Sequence, residues 1–467
     1  MKEGVEAPTD HVDDESEATR NLNHRVLFAF VVVGTGLFLF DLFSANSRVA
    51  RRGIAATAPP IYGYLRPSFT SWGLISVGLA VIAAGGAYLI AQREQIRVRF
   101  FVVSASAFLL SFAASIAMIG GDPTRFVDPL LRIKSSADYV ADIPLVTRLG
   151  VRGFMAGYPH LFSSFKSVHS TTHPPGAVVF LSYLKRAWPH HLIPRALVMA
   201  VLSCLVLIPT YFIARKLAGR RAAIFAVLLL AVAPAPALFT FLSMDAVYAT
   251  LLATAAAILV WGLGKGGRPR LAFLGGLVLG LVSVMTYAVS FIASFAVLWA
   301  LMNRRPWKET VRLLLYAFIG GLVAIGLLWA VLDFNLFASY RASLQHIPKV
   351  PLRSYPYWIF GNPAVWLTFA ALPIAALSIH ELLEHRPLYL LALFIPLLIG
   401  DLAKGVFPGE TERIGQFAYP FLATAAGASL VRLESWSGRR RPALVGGLVL
   451  LTASTAIVIQ SLYFVYW

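Results

Sequence analysis

The chain is short of three things. It has a single cysteine, Cys204, in 467 residues, so an intrachain disulfide or a thiolate metal cluster is excluded. It contains no Walker A loop, no HExxH helix, no GxSxG nucleophile elbow and no CxxC pair, which argues against ATP-driven transport and zincin-type hydrolysis. It is also poor in acid, with 22 Asp and Glu against 40 Lys and Arg and only 13% charged residues in all. Seven of those acids fall in residues 1–25, which hold three bases and no apolar run and read as a disordered acidic cytoplasmic tail. Acid at this end also reads against a cleaved signal peptide, whose first residues are basic.

What is abundant is apolar sequence. At 58% hydrophobic residues the chain lies beyond soluble domains, which run at about 45–50%. A bilayer core of about 30 Å takes roughly 20 apolar residues per helix. Thirteen such segments can be read, at about 27–45, 72–92, 99–120, 193–213, 222–241, 246–263, 271–285, 287–302, 311–332, 363–380, 387–403, 414–432 and 443–464. Since lipid excludes open sheet edges, the expected fold is an all-α polytopic membrane protein of about 13 transmembrane helices, one domain over 26–467.

Charge sets the orientation. Nineteen Lys and Arg lie in the six short connections on one side, from Arg93, Arg97 and Arg99 to Arg432, Arg439, Arg440 and Arg441. By the positive-inside rule the N-terminus is cytoplasmic and the C-terminus extracytoplasmic, in a plasma (inner) membrane. The net charge of +18 is spread among loops, so it reads as topology, with no nucleic-acid partner. The stretch Gly176 to Trp188 is too short to cross. It follows Pro174-Pro175 and carries Lys185 and Arg186, so it reads as an interfacial helix over about 174–188. The outer face then owns a loop over 121–192, long enough to expect a functional role.

The remaining fifteen acids are unevenly placed. Ten of them, Asp41, Asp122, Asp128, Asp138, Asp142, Asp245, Asp333, Asp401, Glu410 and Glu412, fall on the outer side. Asp138 and Asp142 are four apart in a helical run and share a face, which suits paired acid–base work and equally suits an N-terminal helix cap. His173-Pro174-Pro175-Gly176 opens the interfacial helix, placing His173 where free N–H groups favour phosphate; a capping or solvated histidine explains it as simply. Asp245 begins a span, where an acid is costly and reads as functional or as a first-turn helix acid. In Gly409-Glu410-Thr411-Glu412-Arg413 the arginine either clamps a phosphate or pairs with a neighbouring glutamate. His346, Lys349, Arg353, Tyr355, Tyr357 and Trp358 form a further outer loop that suits headgroups, sugar or an interfacial aromatic belt.

Taken in order, these parts resemble the GT-C superfamily of membrane glycosyltransferases, in the branch of aminoarabinose transferases and protein mannosyltransferases. The matching residues are Asp138-Tyr139, His173-Pro174-Pro175-Gly176 and Asp245, over roughly 99–300. The sequence departs from the family's pattern where His173 stands for the usual lysine and where Asp138 and Asp142 are not adjacent acids. The resemblance implies transfer of a sugar from a polyprenyl-phosphate donor to a glycan, lipid or protein acceptor at the outer face, with inversion. Asp138 is the implied base, with Asp122, Asp128 and Asp142 as alternatives. His173, Arg413, Lys134 and Arg353 would meet the phosphate, and Tyr139, Asp142, Asp245 and Glu410 the rest of the substrate. A divalent cation held by Asp138, Asp142 and Asp245 is left open, and no other cofactor is implied. The rival reading is a lipid or small-molecule transporter or flippase. It would require inverted repeats and mid-membrane charges.

Overall fold

The computed structural model describes residues 24–40, 44, 61, 63–68, 70–92, 100–119, 139–241, 243–303, 305–346, 355–403, 409–437 and 441–465. Among these residues the regular structure is helical except for one three-residue ladder, as lipid demands of a spanning backbone that must satisfy its own hydrogen bonds. All thirteen apolar segments contain helix. Six helices are long and apolar enough to cross a membrane unaided: Ser71–Gln92, Leu192–Leu217, Met244–Leu263, Trp307–Leu332, Thr411–Leu433 and Pro442–Leu462. Five shorter apolar helices accompany them, including His24–Phe40, Pro269–Val282 and Val289–Met302. The chain is an integral membrane protein.

Two segments depart from straight crossings. The fifth stops at Ala231 and resumes as Pro234–Phe239, because Pro234 and Pro236 carry no N–H for a continuing ladder. The tenth is a pair, Tyr355–Ala370 and Leu372–His385, bent by 112° at Ala371, whose φ is +72°. Outside the spans, Gly63–Leu65 pairs antiparallel with Tyr463–Val465 in the register Gly63↔Val465.

Helices approach closely where side chains are smallest. A Cβ at Gly276 would lie 1.8 Å from the Ala317 carbonyl oxygen, and one at Gly320 would lie 2.1 Å from that of Phe273. Without those glycines Pro269–Val282 and Trp307–Leu332 could not touch backbone to backbone, which is how helices gain attraction in lipid.

Successive spans alternate between two ends of the bundle. At one end the Gly176 N–H donates to the Val284 carbonyl, and Arg152 meets Asp333. At the other end Lys216 donates to the Lys265 carbonyl and Arg432 meets Glu381. Residues 139–191 fold at the first end as short turns and two helices, Ile143–Gly157 and Gly176–Ala187. They share a core of Tyr139, Phe154, Tyr158, Val178, Leu181, Met199, Val247 and Tyr248 with the spans beneath. Gly176–Ala187 is the short helix expected from the sequence. It buries Ala177, Val178, Leu181 and Leu184 while Lys185 and Arg186 occupy its last turn.

Candidate active site

Two spans begin with charge at this end. Met244–Leu263 opens with Ser243, whose hydroxyl accepts from the Asp245 N–H at 3.0 Å and donates to Asp245 Oδ2 at 2.8 Å. That cap satisfies a free N–H of the first turn and fixes the carboxylate rotamer. The second span is preceded by a tight turn in which Gly409 (φ +108°) and Glu410 (φ +64°) are both left-handed. The Glu410 carbonyl accepts from the Arg413 and Ile414 N–H groups, and this doubles the chain back so that Arg413 faces Asp245.

The result is a buried triad. Arg413 Nη1 lies 3.1 Å from Asp245 Oδ2, and Nη2 donates to Glu410 Oε2 at 2.6 Å. All three side chains are more than nine-tenths buried. Both readings offered for Arg413 thus bear on the same atoms, because the guanidinium is paired with a glutamate and also aimed at the Asp245 span.

Aromatic rings and imidazoles wall this triad. The Tyr248 hydroxyl, one helical turn beyond Asp245, donates to that of Tyr139 at 3.3 Å. Tyr139 stacks on His169 with centroids 5.3 Å apart, and His173 stacks on Tyr248 at 6.0 Å. The His173 N–H donates to the His169 carbonyl, and the Tyr158 hydroxyl donates to the carbonyls of Ser170 and His173. Pro174-Pro175 then feeds the chain into Gly176, where a Cβ would meet the Val284 oxygen at 2.5 Å. The His-Pro-Pro-Gly element is therefore a docking joint as well as a helix entry. Desolvation, followed by the nearby Arg413, holds both imidazoles below the ordinary histidine value, so both are neutral at physiological pH. Burial raises the Tyr139 phenol, so it stays protonated.

The structure gathers Tyr139, His173, Asp245, Glu410 and Arg413, while Asp142 is engaged elsewhere. Its two carboxylate oxygens accept from the backbone N–H groups of Lys166 and Ser167 at 2.8 and 3.1 Å, closing the 139–167 loop. Asp138, Lys134, Arg353, Asp122 and Asp128 lie outside the described residues. No group of three His, Cys, Asp or Glu side chains among the described residues forms a metal-ligating set. With Asp142 bonded to backbone and Asp245 facing a guanidinium, the described members of the suggested cation trio do not fit a divalent ion. Ser243, Tyr248 and His169 were not among the sequence candidates. Tyr248, at i+3 from Asp245, could have been found by asking which side chains share that helix face.

No protein-family model and no curated protein matches the chain. Among solved structures it is similar to ArnT from Cupriavidus metallidurans in the apo state, at 16% identity and a TM-score of 0.49, over 71% of this chain and 60% of that one. It is also similar to the oligosaccharyltransferase AglB from Archaeoglobus fulgidus in complex with an inhibitory peptide and a dolichol-phosphate. There the identity is 14% and the TM-score 0.41, over 78% of this chain and 56% of that one. The chain spans less than two thirds of the length of either.

Proposed function

We propose that this protein is a glycosyltransferase that moves a sugar from a polyprenyl-phosphate donor to a glycan, lipid or protein acceptor at the extracytoplasmic membrane face. The observation that carries the reading is Arg413, buried between Asp245 and Glu410 at one end of the bundle beneath residues 139–191. A guanidinium offers the planar fork that a phosphate accepts, and in a site shielded from water its charge acts at close to full strength. A transporter would keep such charge at mid-membrane between repeats.

In this mechanism the two carboxylates hold Arg413 in place until the donor arrives, and the donor phosphate then displaces Glu410 from the guanidinium. Glu410 can yield by rotation of its side chain alone, while the turn that carries it stays in place. Asp245 is fixed by Ser243 and remains to orient Arg413 and the sugar. The neutral His169 and His173 supply N–H donors and, with Tyr139 and Tyr248, a flat wall for the sugar ring. Asp138, adjoining Tyr139 in sequence, is the general base. The acceptor hydroxyl gives its proton to Asp138 as its oxygen bonds to the anomeric carbon. The bond from that carbon to the phosphate oxygen breaks on the opposite side, the electron pair leaves with the lipid phosphate, and the configuration inverts.

The test is sugar transfer from a radiolabelled lipid-phosphate donor in membranes carrying Asp138→Asn. Loss of a positioned base is expected to lower the rate by about 10²–10⁴-fold. Undiminished transfer by a well-expressed variant removes Asp138 from the role. Substrate flipping in proteoliposomes without any transfer favours the transporter instead.

A further inference from the structure

Arg413 is fastened from a side that the chemistry above does not use. Asp401 lies in the last turn of Leu388–Leu402 and is 9% exposed. Its Oδ1 accepts from Asn362 Nδ2 at 2.7 Å, and its buried Oδ2 has no hydrogen-bond partner among the described residues. The Asn362 backbone carbonyl, on the residue whose side chain Asp401 holds, accepts from the Thr411 hydroxyl at 2.9 Å. Thr411 follows Glu410 directly, so an unbroken line runs from Asp401 through Asn362 and Thr411 to the turn that carries Arg413.

Asp401 is expensive where it stands. A carboxyl group in a membrane span is costly, and one at a helix C-terminus opposes the macrodipole. A single hydrogen bond does not offset both, and a leucine would pack there at less cost. The left-handed Glu410 turn, for its part, holds a shape that a side-chain-bearing residue adopts only under outside constraint. We infer that Asp401 is a positioning residue. Through Asn362 and Thr411 it pins the Gly409–Glu410 turn and so aims the Arg413 guanidinium at the donor phosphate. This inference rests on the transferase reading.

The test uses the full-length protein and four variants. Thr411→Val and Asp401→Leu break the line, whereas Thr411→Ser keeps the hydroxyl and Asp401→Asn keeps the acceptor oxygen. Misplacing a positioning group costs about ten- to a hundredfold. The first two are therefore expected to lose that much kcat with little change in KM for the lipid-phosphate donor, and the conservative pair to stay within about threefold. The double variant Thr411→Val with Asp401→Leu should be no worse than the worse single, since one line is broken only once. Losses that add, or wild-type kcat in folded Thr411→Val, overturn the proposal. A structure of Thr411→Val is read independently of activity. Arg413 is expected to leave hydrogen-bond distance of Asp245, and an unmoved guanidinium overturns the inference. If the wild-type protein transfers no sugar yet Thr411→Val displaces Arg413, it is the transferase reading that falls.

Discussion

Two arginine sites in this bundle use the same side chain in opposite ways. At the end away from the site, Arg432 pairs with Glu381 at 2.7 Å but leaves its own side chain 44% exposed, and Arg25, 61% exposed, meets Glu384. These side chains reach from apolar stems toward the polar boundary, as cations at membrane edges do, and they follow from topology alone. At the site end Arg413 is sealed between Asp245 and Glu410, with each of the three under a tenth exposed. A buried ion pair rarely adds net stability, because desolvation opposes the attraction. On the proposed function, the sealed arginine is the one that serves chemistry, and the exposed ones sit where the charge pattern alone would put them.

The largest test of that contrast compares Arg413→Ala with Arg432→Ala. Removing Arg413 strands two buried carboxylates, a change that costs about 3–5 kcal/mol. Removing Arg432 strands one buried carboxylate, Glu381, which His385 still faces at 3.4 Å, and should cost less, about 1–3 kcal/mol. Thermal midpoints of the detergent-solubilised variants rank the two. Equal shifts would mean that the site end carries no special burden of buried charge.

Much of this contrast could be read from sequence, for a physical reason. Hydropathy is a property of composition, so all thirteen segments were visible, and an acid such as Asp245 at the head of an apolar run stands out against its surroundings. Pairing across the fold is invisible by the same logic. Tyr139 and Tyr248 are 109 residues apart, and neither differs in type from any interfacial tyrosine. His169 resembles a loop histidine until the 139–191 segment closes over it. The break after Ala231 is announced by Pro234 and Pro236, but the 112° bend at Ala371 falls on an alanine in the left-handed region, a residue that gives no warning. Asp142 misleads in the other direction: its four-residue spacing from Asp138 suggests a pair, yet its oxygens serve the backbone of residues 166 and 167.

Glycine sharpens the comparison at a smaller scale. Gly176→Ala would drive a Cβ into the Val284 carbonyl and the Met285 sulfur, at 2.5 and 2.6 Å, on the joint that seats the His173 loop. Overpacking of that kind costs about 1–3 kcal/mol, and transfer activity should fall with it as the histidine wall shifts. Gly86, in the half of Ser71–Gln92 toward the opposite end, has nothing within 4 Å of a built Cβ. Gly86→Ala is therefore expected to be neutral, or to stabilise its helix by up to about 1 kcal/mol. A destabilised Gly86→Ala would show that glycine content, and not the joint, sets tolerance here.

The finest difference is in protons. His169 titrates at about 3, because the folded protein desolvates its ring and sets it near Arg413, whereas an unfolded histidine titrates near 6.5. A depressed histidine binds fewer protons folded than unfolded, so its contribution to stability is complete above about 6.5 and is lost as pH falls toward 3. The thermal midpoint should accordingly drop between pH 7 and pH 5, and His169→Phe, which keeps a ring against Tyr139, should flatten that slope. His385→Gln, beside Glu381 at the other end, is the control. If both variants flatten the slope alike, the proton sensitivity belongs to the whole bundle. If only His169→Phe does, the proton sensitivity belongs to the buried ring beside Arg413.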